Sequence, residues 1–183
     1  ISACLVGSEM CIRDRPWHSA PYFKNRHFVR KGVFKTAAKH NIYSTELGID
    51  LSSKREEEYF KWFLACLLFG KPIQQDVAKR TYFEFVNEGL ISPDAILKAG
   101  WDKLVQVLDR GHYVRYDFST ATKLLEVSKA LKEKYGTMTN LIKQSQTPGE
   151  LSSHLEEFKG VGPKTAEIFL RDIVPIAYGK EKR

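Results

Sequence analysis
Apolar residues along this chain recur at helical intervals and nowhere alternate with polar ones over the length of a strand. Residues 59–69 are apolar almost all round, with Phe60, Trp62, Phe63, Leu64, Ala65, Cys66, Leu67 and Leu68 among them. A helix apolar on every face belongs at the centre of a bundle. Ser53 with Glu56 three positions on has the spacing of a capping box at its start. Gly70, Lys71 and Pro72 stop it, and a second helix is predicted from 74 or 75 to 86, with Val77, Thr81 and Phe85 on one face.

Ser92-Pro93 places an N-cap before a first-turn proline and predicts a short helix that carries Ile96 and Leu97 and ends at Gly100. Residues 101–108 form another short helix, and after the break at Gly111 a long one runs over 119–134 with Leu124, Leu125, Val127, Ala130 and Leu131, closed by Gly136. Thr147-Pro148-Gly149-Glu150 combines an N-cap, a first-turn proline and a capping-box glutamate, and leads into Leu151, Leu155 and Phe158. After Gly160-Val161-Gly162 a last helix starts at Pro163 and puts Ala166, Phe169, Leu170 and Ile173 on one stripe, with Pro175 as its expected end. The chain therefore reads as all-α, about eight helices with short connections.

Composition narrows the partners. The 183 residues carry a net charge of +7 and 12% aromatics, a surplus that suits a polyanion. No apolar run reaches the roughly 18 residues of a membrane span. Residues 5–14, Leu-Val-Gly-Ser-Glu-Met-Cys-Ile-Arg-Asp, resemble one reading frame of a transposase adapter used in DNA sequencing. Residues 1–14 are accordingly expected to be an artefact, which leaves Cys66 as the one cysteine and raises the charge to +8. A single cysteine neither frames a disulfide nor holds an iron–sulfur cluster, which takes about four. Residues 15–50 make a basic, aromatic N-terminal segment, read by default as a solvated positive surface, with tracking of a phosphate backbone as the alternative. Residues 51–146 form the helical domain, 147–175 the unit of two helices joined by the hairpin with the two glycines, and 176–183 a tail, for which truncation is one open reading. His18, His27, His40 and His154 have no metal-ligand spacing with Cys or acidic partners, so no catalytic metal is expected.

The densest chemistry lies in Phe158-Lys159-Gly160-Val161-Gly162-Pro163-Lys164-Thr165-Ala166. Glycines on either side of one apolar residue let the backbone turn tightly, and its N–H groups can then approach a phosphate directly. The positive N-terminus of the following helix adds to the attraction. Val161 would plug between the two helices. Lys164 and Thr165 would add a charge-assisted contact and a hydroxyl to the same phosphate.

This string resembles the hairpin of the helix-hairpin-helix DNA glycosylases of the endonuclease III type, which reads Leu-Pro-Gly-Val-Gly-x-Lys-Thr-Ala, with Phe158 for Leu and Lys159 for Pro here. Leu67-Leu68, a following glutamine and Asp76-Val77 are similar to the family's first core helix and the loop after it. Gly111-x-Tyr113, before a helix with Ala121 and Lys123, is similar to its Gly-x-Tyr-x-x-Lys-Ala segment, with an insertion. The resemblance implies a six-helix barrel with a helix-hairpin-helix motif and a monomer acting on double-stranded DNA in the cytoplasm, at the nucleoid. It implies base-excision repair, in which a damaged base is rotated out of the duplex at a cost of a few kcal/mol.

Several roles follow from the resemblance. Gly160, Val161, Gly162, Lys164 and Thr165 would bind DNA. Gln74 or Gln75 would fill the space the base vacates, or else simply stand at a polar helix start. Tyr113 and Tyr116, in the loop 112–117, would line a base pocket, or that loop is an ordinary exposed one. A monovalent cation could sit on the hairpin's carbonyls. Lys164 matches the lysine that attacks the sugar in bifunctional members, a task that calls for a neighbouring cation and partial burial, or it is a phosphate-binding cation alone. The family's catalytic aspartate lies about 18 residues beyond that lysine, at Lys182 here. Asp172 is expected to face solvent, and Glu181 is the nearest carboxylate to the vacant position. A truncated reading, substitution by Glu181, and DNA binding without excision all remain open, and a helical domain that uses the hairpin for protein contacts is a further alternative.

Overall fold
The computed structural model describes residues 41–179. The adapter-like residues, the remainder of the segment 15–40, and Glu181 with Lys182 lie outside the described residues. Two 3-10 turns, Ser44–Leu47 and Leu51–Ser53, precede seven helices: α1 (Glu56–Phe69), α2 (Gln75–Asn87), α3 (Pro93–Arg110), α4 (Asp117–Lys134), α5 (Met138–Gln144), α6 (Pro148–Glu156) and α7 (Pro163–Ala177). Among the described residues there is no strand, as the absence of period-2 patterning predicts.

α1 is the central element. Ten of its 14 residues are buried, and α2, α5 and α7 all pack on it. Phe63 meets Phe169 and Phe158 edge to face at 5.7 and 6.5 Å, and the Trp62 indole N–H donates to the Phe169 carbonyl at 3.2 Å. Such aromatic pairs contribute about 0.5–1.5 kcal/mol each beyond their burial. They tie α1 both to α7 and to the turn that precedes it. Cys66 is fully buried in the same helix, and that burial pushes its thiol well above the usual range. It packs the core.

Side-chain N-caps open three of the seven helices among the described residues, α3, α5 and α6. Ser92 accepts from the Ala95 amide and Thr147 from the Glu150 amide, as their sequence signatures predict. The capping box expected at Ser53 and Glu56 does not form. The Ser53 hydroxyl donates to Asp50 O, and the Glu56 carboxylate accepts from the amides of Met138 and Thr139 at 2.8 Å and from the Thr139 hydroxyl at 2.7 Å. Glu56 thus takes the first two amides of α5, whose N-cap Thr137 accepts from the Asn140 amide at 3.1 Å; the apolar periodicity did not reveal this helix of seven residues.

Two further expectations are corrected. Pro175 does not end α7, which continues to Ala177; a proline this near the C-terminus sacrifices one backbone hydrogen bond, and the packing of α7 on α1 outweighs it. Asp172 does not face solvent: its side chain is 7% exposed, one oxygen accepts from the Ser44 amide at 2.6 Å, and the other meets Arg171. That contact, with buried Leu47, Ile49 and Leu51, fastens residues 41–53 to the helical body. The two helices expected at 93–100 and 101–108 do form, as α3 with a kink where Gly100 takes φ 75° and ψ 174°.

Candidate nucleic-acid interface
The turn between α6 and α7 is built on buried Phe158, which packs edge to face on Tyr135 at 6.0 Å as well as on Phe63. From there the chain reverses. The Val161 amide donates back to the Phe158 carbonyl at 2.9 Å, and Val161 itself is buried between the helices. Gly160 has φ 100°, in the left-handed half of conformational space that favours glycine, and a Cβ there would stand 2.8 Å from Cγ and Cδ of Lys123. Its glycine is required by the fold.

Gly162 is different. It is the N-cap of α7 with φ −109° and ψ 172°, extended backbone open to any residue, and a Cβ there would meet nothing within 4 Å. Internal packing therefore gives no reason for a glycine at this position. Pro163 has no N–H, and among the described residues the amides of Gly160, Gly162 and Lys164 donate to no protein acceptor. Three N–H groups without protein acceptors around an open glycine, at the positive end of a 15-residue helix, are donors of the kind that suits an anion.

The carbonyls fit a cation only in part. Gly162 O already accepts from the Thr165 and Ala166 amides, whereas Phe158 O accepts only from Val161 and keeps a lone pair.

Side chains around the turn divide. Lys164 is 59% exposed and pairs with Glu167 at 2.8 Å. It therefore has an anionic neighbour and exposure where an amine nucleophile calls for a cation and burial. Lys159, 84% exposed, pairs with Glu126 at 2.9 Å. Thr165 does not offer its hydroxyl to this surface. It is buried, with Oγ1 occupying the space a Cβ on Gly70 would need, so it lets the end of α1 approach the start of α7.

Gln74 and Gln75 stand exposed at the start of α2, Gln74 as its N-cap. Tyr113 is completely buried, and its hydroxyl donates to the Leu68 carbonyl at 2.7 Å. It supports α1 from within the core and lines no open pocket. Tyr116 is half-buried, 6.4 Å from the Tyr113 ring and under the Arg115 guanidinium at 5.4 Å. A cleft of about 430 Å³ bordered by Tyr59, Thr139, Ser145, Ile176 and Tyr178 lies at the far end of α7, about 20 Å along the helix from the turn. None of the expected site residues among the described ones borders it.

One residue pair escaped the sequence reading. Lys71, in the loop after α1, has its amine pushed down to about 8 by the nearby Lys123 on α4, whose stem crosses Gly160, together with partial burial. The two are far apart in sequence and share no local pattern, so only the fold reveals them. Among the described residues no group of three or more His, Cys, Asp or Glu is placed to hold a metal, and no helix is long and apolar enough to cross a membrane. No protein-family model matches the chain, and comparisons with curated proteins and with solved structures give no match.

Proposed function
We propose that this chain binds double-stranded DNA through the Gly160-Val161-Gly162 turn and the start of α7, and that it acts in base-excision repair as a glycosylase of the endonuclease III type. The observation that carries the reading is Gly162: a glycine with ordinary dihedrals and no internal neighbour, beside three amides without protein acceptors. A phosphate oxygen approaching over Gly162 would accept from those amides and draw Lys164 from Glu167. The same reading takes the helices packed around α1 as the family's six-helix barrel, Gln74 and Gln75 as the fillers of the vacated base position, and the remaining lone pair of Phe158 O as a ligand for a monovalent cation. In the chemical step Lys164 would condense with the sugar aldehyde at C1′ to give an imine and water.

The pairing of exposed Lys164 with Glu167 favours a second reading, a helix-hairpin-helix protein that binds DNA without excising a base. Borohydride reduction in the presence of abasic-site DNA separates the two. A covalent adduct that disappears in Lys164→Ala establishes the lyase. No adduct, or one indifferent to that substitution, leaves the binding protein.

A further inference from the structure
Tyr59 lies in α1 with 4% of its surface exposed, and it borders the cleft of about 430 Å³ at the far end of α7. The buried Tyr113 and half-buried Tyr178 hydroxyls donate to the Leu68 and Ser145 carbonyls. Among the described residues the Tyr59 hydroxyl has no hydrogen-bond partner, and it is not sealed into the core. A polar group on so buried a ring is ordinarily paired. Burial also pushes the Tyr59 phenol up, which keeps it a neutral O–H donor.

The rest of the lining limits what that donor can meet. Ile142, Ile176 and the Tyr178 ring give the cleft apolar walls. The hydroxyls of Thr139, Ser145 and Tyr178 are already engaged, with Glu56, the Leu141 carbonyl and the Ser145 carbonyl. A nucleobase or a sugar would bring several polar groups that find no partner there, which disfavours it. Charge lies in Lys54 and Lys143: both border the cleft, no Asp or Glu does, and among the described residues neither lysine forms an ion pair. Lys54 moreover has φ 54° and ψ 23°, a left-handed conformation uncommon for a residue with a Cβ. Glycine would close that turn with less strain, so the backbone gives no reason for a lysine.

We propose that this cleft binds a small organic carboxylate with an apolar or aromatic body, the body lying against Ile142, Ile176 and Tyr178 and the carboxylate accepting from the Tyr59 hydroxyl and the two lysines. The volume is within the range of small-molecule sites. The site is separate from the Gly160-Val161-Gly162 turn and does not depend on the DNA-binding reading.

The test is a titration of the full chain with naphthoate, followed by the probe's fluorescence, with naphthamide as the uncharged probe of the same shape. Naphthoate should bind saturably at one site, and naphthamide roughly tenfold more weakly. Tyr59→Phe removes a hydroxyl with no internal partner, so its thermal midpoint should be native while its affinity falls about tenfold. Lys54→Gly relieves the left-handed strain, so its midpoint should equal or exceed the native one, with affinity down about fivefold. No saturable binding by the native chain, equal affinity for the two probes, or native affinity in both variants overturns the proposal. Displacement of naphthoate by duplex DNA also overturns it, by assigning the lysines to a nucleic-acid surface.

Discussion
Replacing Gly162 by alanine separates what the fold needs from what a ligand needs. The added methyl meets no atom within 4 Å, and φ −109° with ψ 172° is accessible to alanine without strain. Alanine is a poorer N-cap than glycine, by about 0.5–1 kcal/mol. It also loses less backbone entropy on folding, which returns about 0.4–1 kcal/mol. The two effects nearly cancel, so stability should change by less than about 0.5 kcal/mol and the thermal midpoint by less than about 2 °C. Binding should change far more. The methyl would stand where a phosphate approaches the free amides, and each hydrogen bond to a charged group contributes about 1.5–3 kcal/mol. Loss of one such bond weakens binding roughly 10- to 100-fold. Thermal unfolding followed by circular dichroism and duplex binding followed by fluorescence anisotropy measure the two effects on one sample. A folded Gly162→Ala protein with native affinity would refute the placement of the phosphate, and a fall in midpoint beyond about 5 °C would refute the claim that the position is open.

The neighbouring glycine should behave in the opposite way. Gly160→Ala forces alanine to φ 100° and drives its methyl to 2.8 Å from the Lys123 stem, a strain of about 1–3 kcal/mol. The midpoint should drop by roughly 3–9 °C, and an unchanged midpoint would contradict the turn geometry. Glu58 gives a pH dependence. Burial raises its carboxyl, but Lys61 at 2.8 Å, the Asp50 amide and Arg55 outweigh that, so the net shift is downward. A carboxyl lowered by folding stabilises the native state above the unfolded value of about 4.3, and that contribution is lost as pH falls through the lower folded value. Urea titrations between about pH 3 and pH 6 should show stability falling with acid, less steeply in Glu58→Gln; equal slopes would remove Glu58 from the account.

What the sequence revealed and what it hid follow from the range of the interactions involved. α1 was legible because an apolar run has one favourable place in a bundle, and α3 and α6 because Ser92 and Thr147 signal their starts within four residues. α5 was not, although Thr137 caps it locally, since seven residues are too few to show an apolar period and Glu56, which takes its first two amides, lies more than eighty residues away. The same applies to Asp172, whose burial depends on the Ser44 amide, and to Thr165, whose hydroxyl is placed by Gly70. Lys164 was read in its place at the start of α7, but its partner Glu167 was not anticipated, and that pairing changes what the amine can do. Lys71 and Lys123 entered the sequence reading only as a helix-stop signal and as part of a resemblance.

The claim that the Gly160-Val161-Gly162 turn is a DNA contact is tested most directly by the affinity of the full chain for duplexes with and without an abasic site, between about 50 and 200 mM salt. Each neutralised phosphate contributes about −0.9 to the slope of log K against log salt. The turn, as one phosphate contact, therefore predicts a slope of about −0.9 or steeper, with the abasic duplex bound more tightly because its sugar is already free of a stacked base. An affinity independent of salt, or no saturable binding at about 50 mM, would contradict the account.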